Sequence, residues 1–390
     1  MRLVNKGLRS KEIIMQDGVV SIRRTILVPE DKESARILLE SDNINCVYPL
    51  DSIIGIDGIP FKATYKAVAT IAKEGIRSRS YREAAQRLNE RHHYDISPSQ
   101  VKRIVDYVGD LVYSNDCQQA KEASSYKGII IDRRKCKKDV AYLEFDGSYY
   151  LENNSEGNGC EWKECKIATA FKKSDIREWG KDTTEIKKRD YTGFIGSSEE
   201  FKDHLLALAV RNDFFNIKEM VVITDGAKWI LPFIKEVFPQ AVPILDLFHA
   251  KENAGKFAYA VKRGKNQKKE YADELCRLIE EGNIDELMKV LTPYKDFKSP
   301  GVVNFYHYVD RLKECMHYDE YRSKGYLVGS GHIESTHRYV MQNRMKGPGQ
   351  HWNQRNGQGV LSSKCRYESD NWDSVVRLIY EDYEKCRNKH

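Results

Sequence analysis

The sequence lacks any long hydrophobic run. None of its apolar stretches approaches the roughly 18 consecutive residues that a membrane-spanning helix needs, and its mean hydropathy is −0.63 because 31% of its residues are charged. The opening stretch, MRLVNKGLRSKEIIMQDG, also lacks the continuous apolar segment of a secretory signal. These absences favour a protein without a membrane segment, and we expect it in the cytoplasm.

Paired cysteines are also lacking. The chain has nine cysteines, an odd number, scattered without a repeated spacing. This pattern does not suit a disulfide framework and indicates reduced thiols. Cys160 and Cys165 lie closest together, but a C-x4-C spacing without a second pair is a weak zinc signal. We therefore interpret both as ordinary residues of a β-hairpin.

The size and charge of the chain set broad limits. With 390 residues and 41% hydrophobic content, it is large enough for two or three domains with their own cores. A net charge of +6 is compatible with nucleic-acid binding without requiring it. Basic residues cluster in RRKCKK at 133–138 and KRGKNQKK at 262–269. Such clusters are usually solvated faces and gain meaning only beside other evidence.

The local patterns divide the chain into successive regions. Alternating apolar residues near the start predict strands, whereas helical spacing begins at Phe61. From Val140 onward, strands alternate with helices, which predicts a mixed α/β domain interrupted by a helical block. The predicted regions are a strand-rich segment at 1–60, a helical segment at 61–138, an α/β core at 139–249, a helical block at 250–328, and a C-terminal helix with a tail at 329–390.

Residues 81–113 suggest a helix-turn-helix. A short helix is predicted over Tyr81–Arg91, and a second begins after Ser97, which suits an N-cap with Pro98 at the first helical position and Gln100 completing a capping box. Such a pair can place the second helix in the DNA major groove, although an ordinary helical hairpin has the same caps. The candidate DNA contacts at the start of the second helix are Ser99, Gln100, Lys102 and Arg103.

Three predicted strands run directly into aspartate. Asp146 follows the strand-like run YLEF at 142–145, Asp225 follows MVVI at 220–223 and Thr224, and Asp246 follows IL at 244–245. Sites in α/β proteins form at the carboxyl ends of strands, so neighbouring strands would bring these carboxylates together. Two carboxylates about 4 Å apart repel by roughly 4 kcal/mol at an effective dielectric near 20. A hard cation such as Mg²⁺ or Mn²⁺ would relieve this repulsion, with Glu334 as the best third ligand, although Asp-Gly after a strand is also common in plain turns.

These motifs together resemble a known family. The DG at Asp146, TDGAKWI around Asp225, LDLFHA around Asp246 and His249, GSGHIES around Glu334 and NRMKGPGQHW after it are similar to those of DDE transposases of bacterial insertion sequences, in the Mutator-like group. The resemblance covers residues from about 80 to the C-terminus.

The resemblance implies a fold and an activity. The fold would be a ribonuclease H-like core, a mixed sheet flanked by helices, interrupted by the all-helical insertion. Asp146, Asp225 and Glu334 would be the catalytic, metal-binding triad for two Mg²⁺ or Mn²⁺ ions, cleaving and transferring DNA strands. Asp246 and His249 match a D-x-x-H pair, which would support the active site or merely cap a helix. Gly226 would keep the sheet edge open for a DNA phosphate.

The resemblance also implies partners. The chain would bind double-stranded DNA at the element's terminal repeats and at the target, as a homo-oligomer associated with DNA in the bacterial cytoplasm and not with a membrane. Further DNA-contact candidates follow the glutamate: Arg338, Arg344, Lys346 and Trp352. Two other functions remain open. One is a decayed or domesticated transposase that binds DNA without cleaving it, and the other is a related nuclease that cuts without joining strands.

Overall fold

A computed structural model describes residues 2–42, 46–57, 59–153, 159–178, 184–329 and 331–387. These described residues form two compact units. The first contains residues of 1–115, 153–158 and 343–390, and the second contains residues of 116–152 and 159–342. The C-terminal tail thus belongs to the same unit as the N-terminal regions. Every helix in these ranges is too short or too polar to cross a membrane.

The first unit begins with an antiparallel hairpin followed by helices. Strand β1 pairs with β2 around a tight turn, with Met15 opposite Gly18. The alternation predicted for GVVSIRRTILVP therefore forms a strand. The elements of this part are β1 (Leu3–Met15), β2 (Gly18–Pro29), α1 (Lys32–Asp42), α2 (Pro49–Ile53), α3 (Tyr65–Arg77), α4 (Tyr81–His92) and α5 (Pro98–Ala123), of which the last extends past this unit.

The predicted caps form at the junction of α4 and α5. Ser97 Oγ accepts from the Gln100 amide at 3.3 Å, and Gln100 Oε1 accepts from the Ser97 amide at 2.8 Å, which confirms the capping box. Val101, Ile104, Val105 and Val108, whose spacing in the sequence predicts one apolar face of a helix, are all buried on α5. The helix continues to Ala123 instead of ending near residue 113, since Val112 and Ala120 extend that buried stripe.

The second unit is built on a five-stranded mixed sheet among its described residues, in the order β7-β4-β3-β8-β9. Strands β3, β8 and β9 run parallel, whereas β4 and β7 pair antiparallel. A separate small hairpin joins β5 and β6. The strands are β3 (Lys137–Asn153), β4 (Cys160–Lys172), β5 (Ile176–Glu178), β6 (Thr184–Ile186), β7 (Asp190–Phe194), β8 (Ile217–Thr224) and β9 (Val242–Leu245).

Helices flank this sheet, as the predicted mixed α/β class requires. Those after β9 form the predicted helical block and share one apolar core with the sheet, in which Val221 and Ile244 of the strands join Phe257 and Phe305 of the helices. The helices are α6 (Ser198–Arg211), α7 (Ile230–Val237), α8 (Leu247–Val261), α9 (Lys265–Glu280), α10 (Ile284–Leu291), α11 (Phe305–Leu312), α12 (Tyr318–Ser323) and α13 (Gly331–Thr336), followed by a π-helical segment at His337–Gln342.

The C-terminal helices complete the first unit. They are α14 (Asn343–Met345), α15 (Gln354–Glu368) and α16 (Trp372–Arg387), and the last two pack against α3. Helices α5 and α15 approach closely at two glycines: a Cβ on Gly109 would lie 2.8 Å from the Gly359 Cα. Tyr383 of α16 donates its hydroxyl to the Ala63 carbonyl at 2.8 Å. The tail is therefore part of the packing around α3.

The nine cysteines all lie in described parts of the chain, and none of them is in a disulfide. Cys160 is exposed and Cys165 is buried on the same strand, β4. Residues five apart on a strand point to opposite faces. The two thiols therefore do not form a shared metal site, in agreement with their interpretation as hairpin residues.

Candidate active site

The three aspartates lie at one level across three neighbouring parallel strands. In the sheet register Glu144 is opposite Ile223, and Thr224 is opposite Leu245. Continuing that register by one or two residues places Asp146 beside Asp225, and Asp225 beside Asp246. Asp225 and Asp246 follow the carboxyl ends of β8 and β9, where sites of α/β sheets form. The prediction that β3 also ends at Asp146 is wrong, because β3 continues to Asn153. The register nevertheless brings the three acids, which are distant in sequence, to one level of the sheet.

Asp146 is held in its ionised form. Its Oδ1 accepts from the Gly147 amide at 2.7 Å, and its Oδ2 lies 3.2 Å from His337 Nε2. Burial by itself raises the pKa of this carboxyl, but the hydrogen bond and charge of His337 outweigh that effect, so the pKa lies below its ordinary value. Asp146 is therefore available as an anionic ligand at neutral pH.

For Asp225, the effects that raise the pKa of the carboxyl outweigh those that lower it. Its Oδ1 accepts from the Ala227 amide at 2.9 Å, which favours the anion. Burial nevertheless raises the pKa of Asp225, and the negative charges of Asp146 and Glu164 raise it further. Two neighbouring carboxylates disfavour each other's ionisation through electrostatic repulsion. A cation bound between them would relieve that repulsion.

Asp246 and His249 form a tight pair beside these acids. The Asp246 side chain is fully buried and caps α8 by accepting from the Phe248 amide at 3.2 Å and the His249 amide at 3.4 Å. Its Oδ2 also lies 2.6 Å from His249 Nδ1. This hydrogen bond, aided by the charges of Asp146 and Asp225, raises the pKa of His249 despite its burial. The Asp246 side chain therefore both caps α8 and holds the His249 ring.

The backbone of Glu334 lies in α13, three residues before the first residue of the π-helical segment. Its side chain falls outside the part of the chain that the structure describes. His337, about one helical turn later, contacts Asp146 and therefore brings this helix to the edge of the sheet. Among the described side chains, no group of three His, Cys, Asp or Glu residues is arranged to hold a metal ion.

A narrow cleft of about 50 Å³ lies beside Asp146 and Asp225. Two charged residues of β4 line it. Lys166 is buried and donates from Nζ to Glu164 Oε2 at 3.0 Å and to the Gly196 carbonyl at 3.1 Å. Sequence reasoning assigned no role to either residue. The available signal was their alternate spacing just before the apolar half of the strand, which places both on one face of the sheet.

Glu144 is a further acid that sequence reasoning missed. It lies two residues before Asp146 on β3 and is completely buried. Burial, together with the charge of Asp246, raises its pKa to about 8, although Arg189 and the nearby Ile333 amide partly oppose this. Neither carboxyl oxygen makes a well-formed hydrogen bond to any described group. Glu144 is therefore a protonated acid beneath the site at neutral pH.

Gly226 has a different role from the one predicted. It is buried, adopts φ +80°, and a Cβ there would lie 2.6 Å from Leu312 Cδ1 and 2.9 Å from Leu245 Cδ1. Its carbonyl accepts from Arg311 Nη2 at 2.9 Å. The glycine thus lets the loop after β8 pack under α11 and does not keep the edge open. The prediction of an open edge at Gly226 is wrong, because packing of distant leucines cannot be seen in the local sequence.

Gly226→Ala is expected to destabilise the protein by about 2–4 kcal/mol, because alanine is strained at this φ and its methyl would overlap both leucines. Urea unfolding of the two proteins measures the difference. Gly255→Ala is the matched control, since Gly255 lies in α8 and a methyl group there would have no neighbouring atom within 4 Å. That change should be neutral or slightly stabilising. Equal stability of both variants would contradict the packing role of Gly226.

The residues predicted to contact DNA range from exposed to buried. Ser99, Lys102 and Arg103 are exposed at the start of α5, where Gln100 is half-buried, and Arg338 is exposed in the π-helical segment. Lys346 is half-buried. Arg344 and Trp352 retain only 2% and 7% exposure. Trp352 Nε1 donates to the Met345 carbonyl at 3.2 Å, so its indole packs inside the first unit.

No protein-family model matches the chain, and none of the curated proteins searched matches it.

Proposed function

We propose that the protein is a DDE transposase of the Mutator-like group, which cleaves and transfers DNA strands at the ends of an insertion sequence. The observation that carries this proposal is the register of Asp146 and Asp225 on adjacent parallel strands, with the helix of Glu334 attached to the same edge through His337. The sheet would then be a ribonuclease H-like core, and α8–α12 its helical insertion.

The acids suit divalent cations. Asp146 and Asp225, with Glu334 as the third ligand, would hold Mg²⁺ or Mn²⁺, and two ions would fit the chemistry. The negative charge of Asp146 raises the pKa of Asp225, so keeping both groups ionised costs free energy. A bound cation would remove this cost, which supports the assignment. Such ions activate an attacking oxygen and stabilise the leaving oxygen of a phosphodiester.

The surrounding residues would prepare the site for DNA. His337 keeps Asp146 ionised, and Asp246 orients His249 through Nδ1 while favouring its protonated form. A protonated His249 and the buried Lys166 would place positive charge near the acids. A DNA phosphate brought to this edge would otherwise be repelled by the carboxylates.

The DNA itself would be held by the first unit. The capped start of α5 presents Lys102 and Arg103 to solvent, which suits contacts to phosphates or base edges in the major groove. The partners would be double-stranded DNA at the element ends and at the target. Because transposition joins two ends, we propose a homo-oligomer that works on DNA in the bacterial cytoplasm.

A cleavage and joining assay tests this function. Purified protein is incubated with labelled duplexes from the DNA flanking its own coding sequence, together with a target plasmid, in Mg²⁺ or in EDTA. We expect metal-dependent release of a 3′-OH end and its covalent joining to the plasmid. Cleavage without joined product would instead indicate a nuclease. Binding without cleavage in either Mg²⁺ or Mn²⁺ would indicate a DNA-binding protein and would overturn the proposal.

A further inference from the structure

A cavity of about 350 Å³ lies within the first unit, and none of the acids of the sheet is among the described residues that line it. Its wall combines segments that are far apart in sequence: the start of α4, the first turns of α5, the end of β3 and the loop before α15. The helix-turn-helix residue Lys102 and the loop residue Arg344 therefore line the same space. Cavities of this size are typical of small-ligand sites.

Arg344 lines this cavity and is almost completely buried. Its guanidinium carbon lies 4.6 Å from the ring centre of Tyr81 and 4.8 Å from that of Trp352, and its Nε donates to the Gly75 carbonyl at 3.0 Å. Tyr81 interacts electrostatically with the guanidinium, but neither Arg344 Nη2 nor Tyr81 Oη makes a well-formed hydrogen bond to a described group. The buried guanidinium thus has aromatic rings, a carbonyl and a neutral hydroxyl around it, and an anion would be a stronger partner than any of these.

The remaining wall suits a nucleotide better than a simple anion. Lys102 adds a second basic group from an exposed position, where it pairs with Asp106 at 2.5 Å, and no acidic residue is among the described residues that line the cavity itself. Asn153 and Asn356 contribute side-chain amides, which carry both donors and acceptors. Guanidinium and ammonium groups recognise phosphate, whereas amides recognise the edges of bases.

We propose that this cavity binds a single nucleotide of a DNA strand, with its phosphate on Arg344 and Lys102 and its unpaired base against Asn153 and Asn356. The choice of DNA as the source rests on the proposed function, but the cavity and its buried guanidinium do not. A base must leave the helical stack to enter such a cavity, so DNA with an unpaired nucleotide is the natural ligand.

Fluorescence anisotropy in EDTA tests this inference on the full chain. The probe is a short labelled duplex with one central unpaired nucleotide, compared with the same duplex carrying an abasic position there. We expect the intact probe to bind about 5- to 10-fold more tightly than the abasic probe. Lys102→Ala and Asn356→Leu should each abolish most of that preference, as should Arg344→Lys, which keeps the charge but not the planar fork.

Arg355→Ala is the matched control. Arg355 neighbours Asn356, pairs with Asp110 at 2.6 Å as Lys102 pairs with Asp106, and does not line the cavity. It should change the preference less than twofold. Equal effects of the control and the cavity variants would overturn the inference, as would an abasic probe that binds as tightly as the intact one. The variants at the exposed Lys102 and the half-buried Asn356 keep the test valid if Arg344→Lys fails to fold.

Competition experiments distinguish a nucleotide from a simple anion as the ligand of the cavity, and a DNA strand from a free nucleotide as its source. A deoxynucleoside 5′-monophosphate should displace the probe more effectively than the same concentration of inorganic phosphate. Displacement by phosphate alone would reduce the cavity to an anion site and overturn the nucleotide assignment. Tighter binding of the free nucleotide than of the unpaired probe would overturn DNA as its source. Because these measurements exclude metal, a nucleotide preference without any cleavage would leave this inference standing while the proposed function fails.

Discussion

Asp225→Asn is expected to lower metal-dependent DNA cleavage by at least about 10³-fold without lowering stability. The amide keeps an oxygen that can accept from the Ala227 amide, at the position where Asp225 Oδ1 now accepts at 2.9 Å. It removes a buried charge whose ionisation is already disfavoured by burial and by Asp146. Single-turnover cleavage rates in Mg²⁺ and urea unfolding, measured on the same preparations, separate the two effects.

Asp310→Asn provides the comparison for this experiment. Asp310 is an exposed acid on α11 that pairs with Lys313 at 3.1 Å, so the same chemical change there should leave cleavage within about twofold of the unmodified protein. Cleavage by Asp225→Asn within tenfold of normal would remove Asp225 from the catalytic site. Parallel losses of stability and cleavage would point to a structural role instead.

Glu144→Gln is expected to stabilise the protein at alkaline pH. The folded-state pKa of about 8 is raised above the ordinary value by burial and by the charge of Asp246. Below about pH 4.5 the carboxyl is protonated in both states. Between there and pH 8 the unfolded chain releases its proton while the folded chain retains it, so stability falls by about 1.4 kcal/mol per pH unit. Glutamine removes this loss, giving the variant a relative gain of about 3–5 kcal/mol between pH 4.5 and 8.

Urea unfolding from pH 5 to pH 8.5 measures this gain as the difference between the two proteins at each pH. Glu199→Gln serves as the reference because Glu199 is an exposed acid on α6, and its difference from the unmodified protein should stay within about 0.5 kcal/mol throughout. A Glu144→Gln difference that does not change with pH would show that this carboxyl is not protonated in the folded protein at neutral pH.

The elements of the fold were largely predictable from the sequence. Ser97 and Gln100 cap α5, the apolar stripe from Val101 is buried, and strands end just before Asp225 and Asp246 as predicted, whereas the strand of Asp146 continues to Asn153. Caps depend on residues within one turn, and strand or helix periodicity depends on neighbours within a few positions. Such information is contained in a short window of sequence.

The sequence by itself therefore determined the helices and strands, their caps, and the chemical types of the acids that follow the strands. Tertiary structure alone decided which groups meet and which are buried. It brings His337 to Asp146 and places Arg344 and Lys102 around one cavity. It also buries Glu144 completely and packs Gly226 beneath Leu312. Burial and electrostatic environment arise from segments that are distant along the chain. Which of these segments come together depends on the packing of the whole unit, and no local sequence pattern specifies that packing.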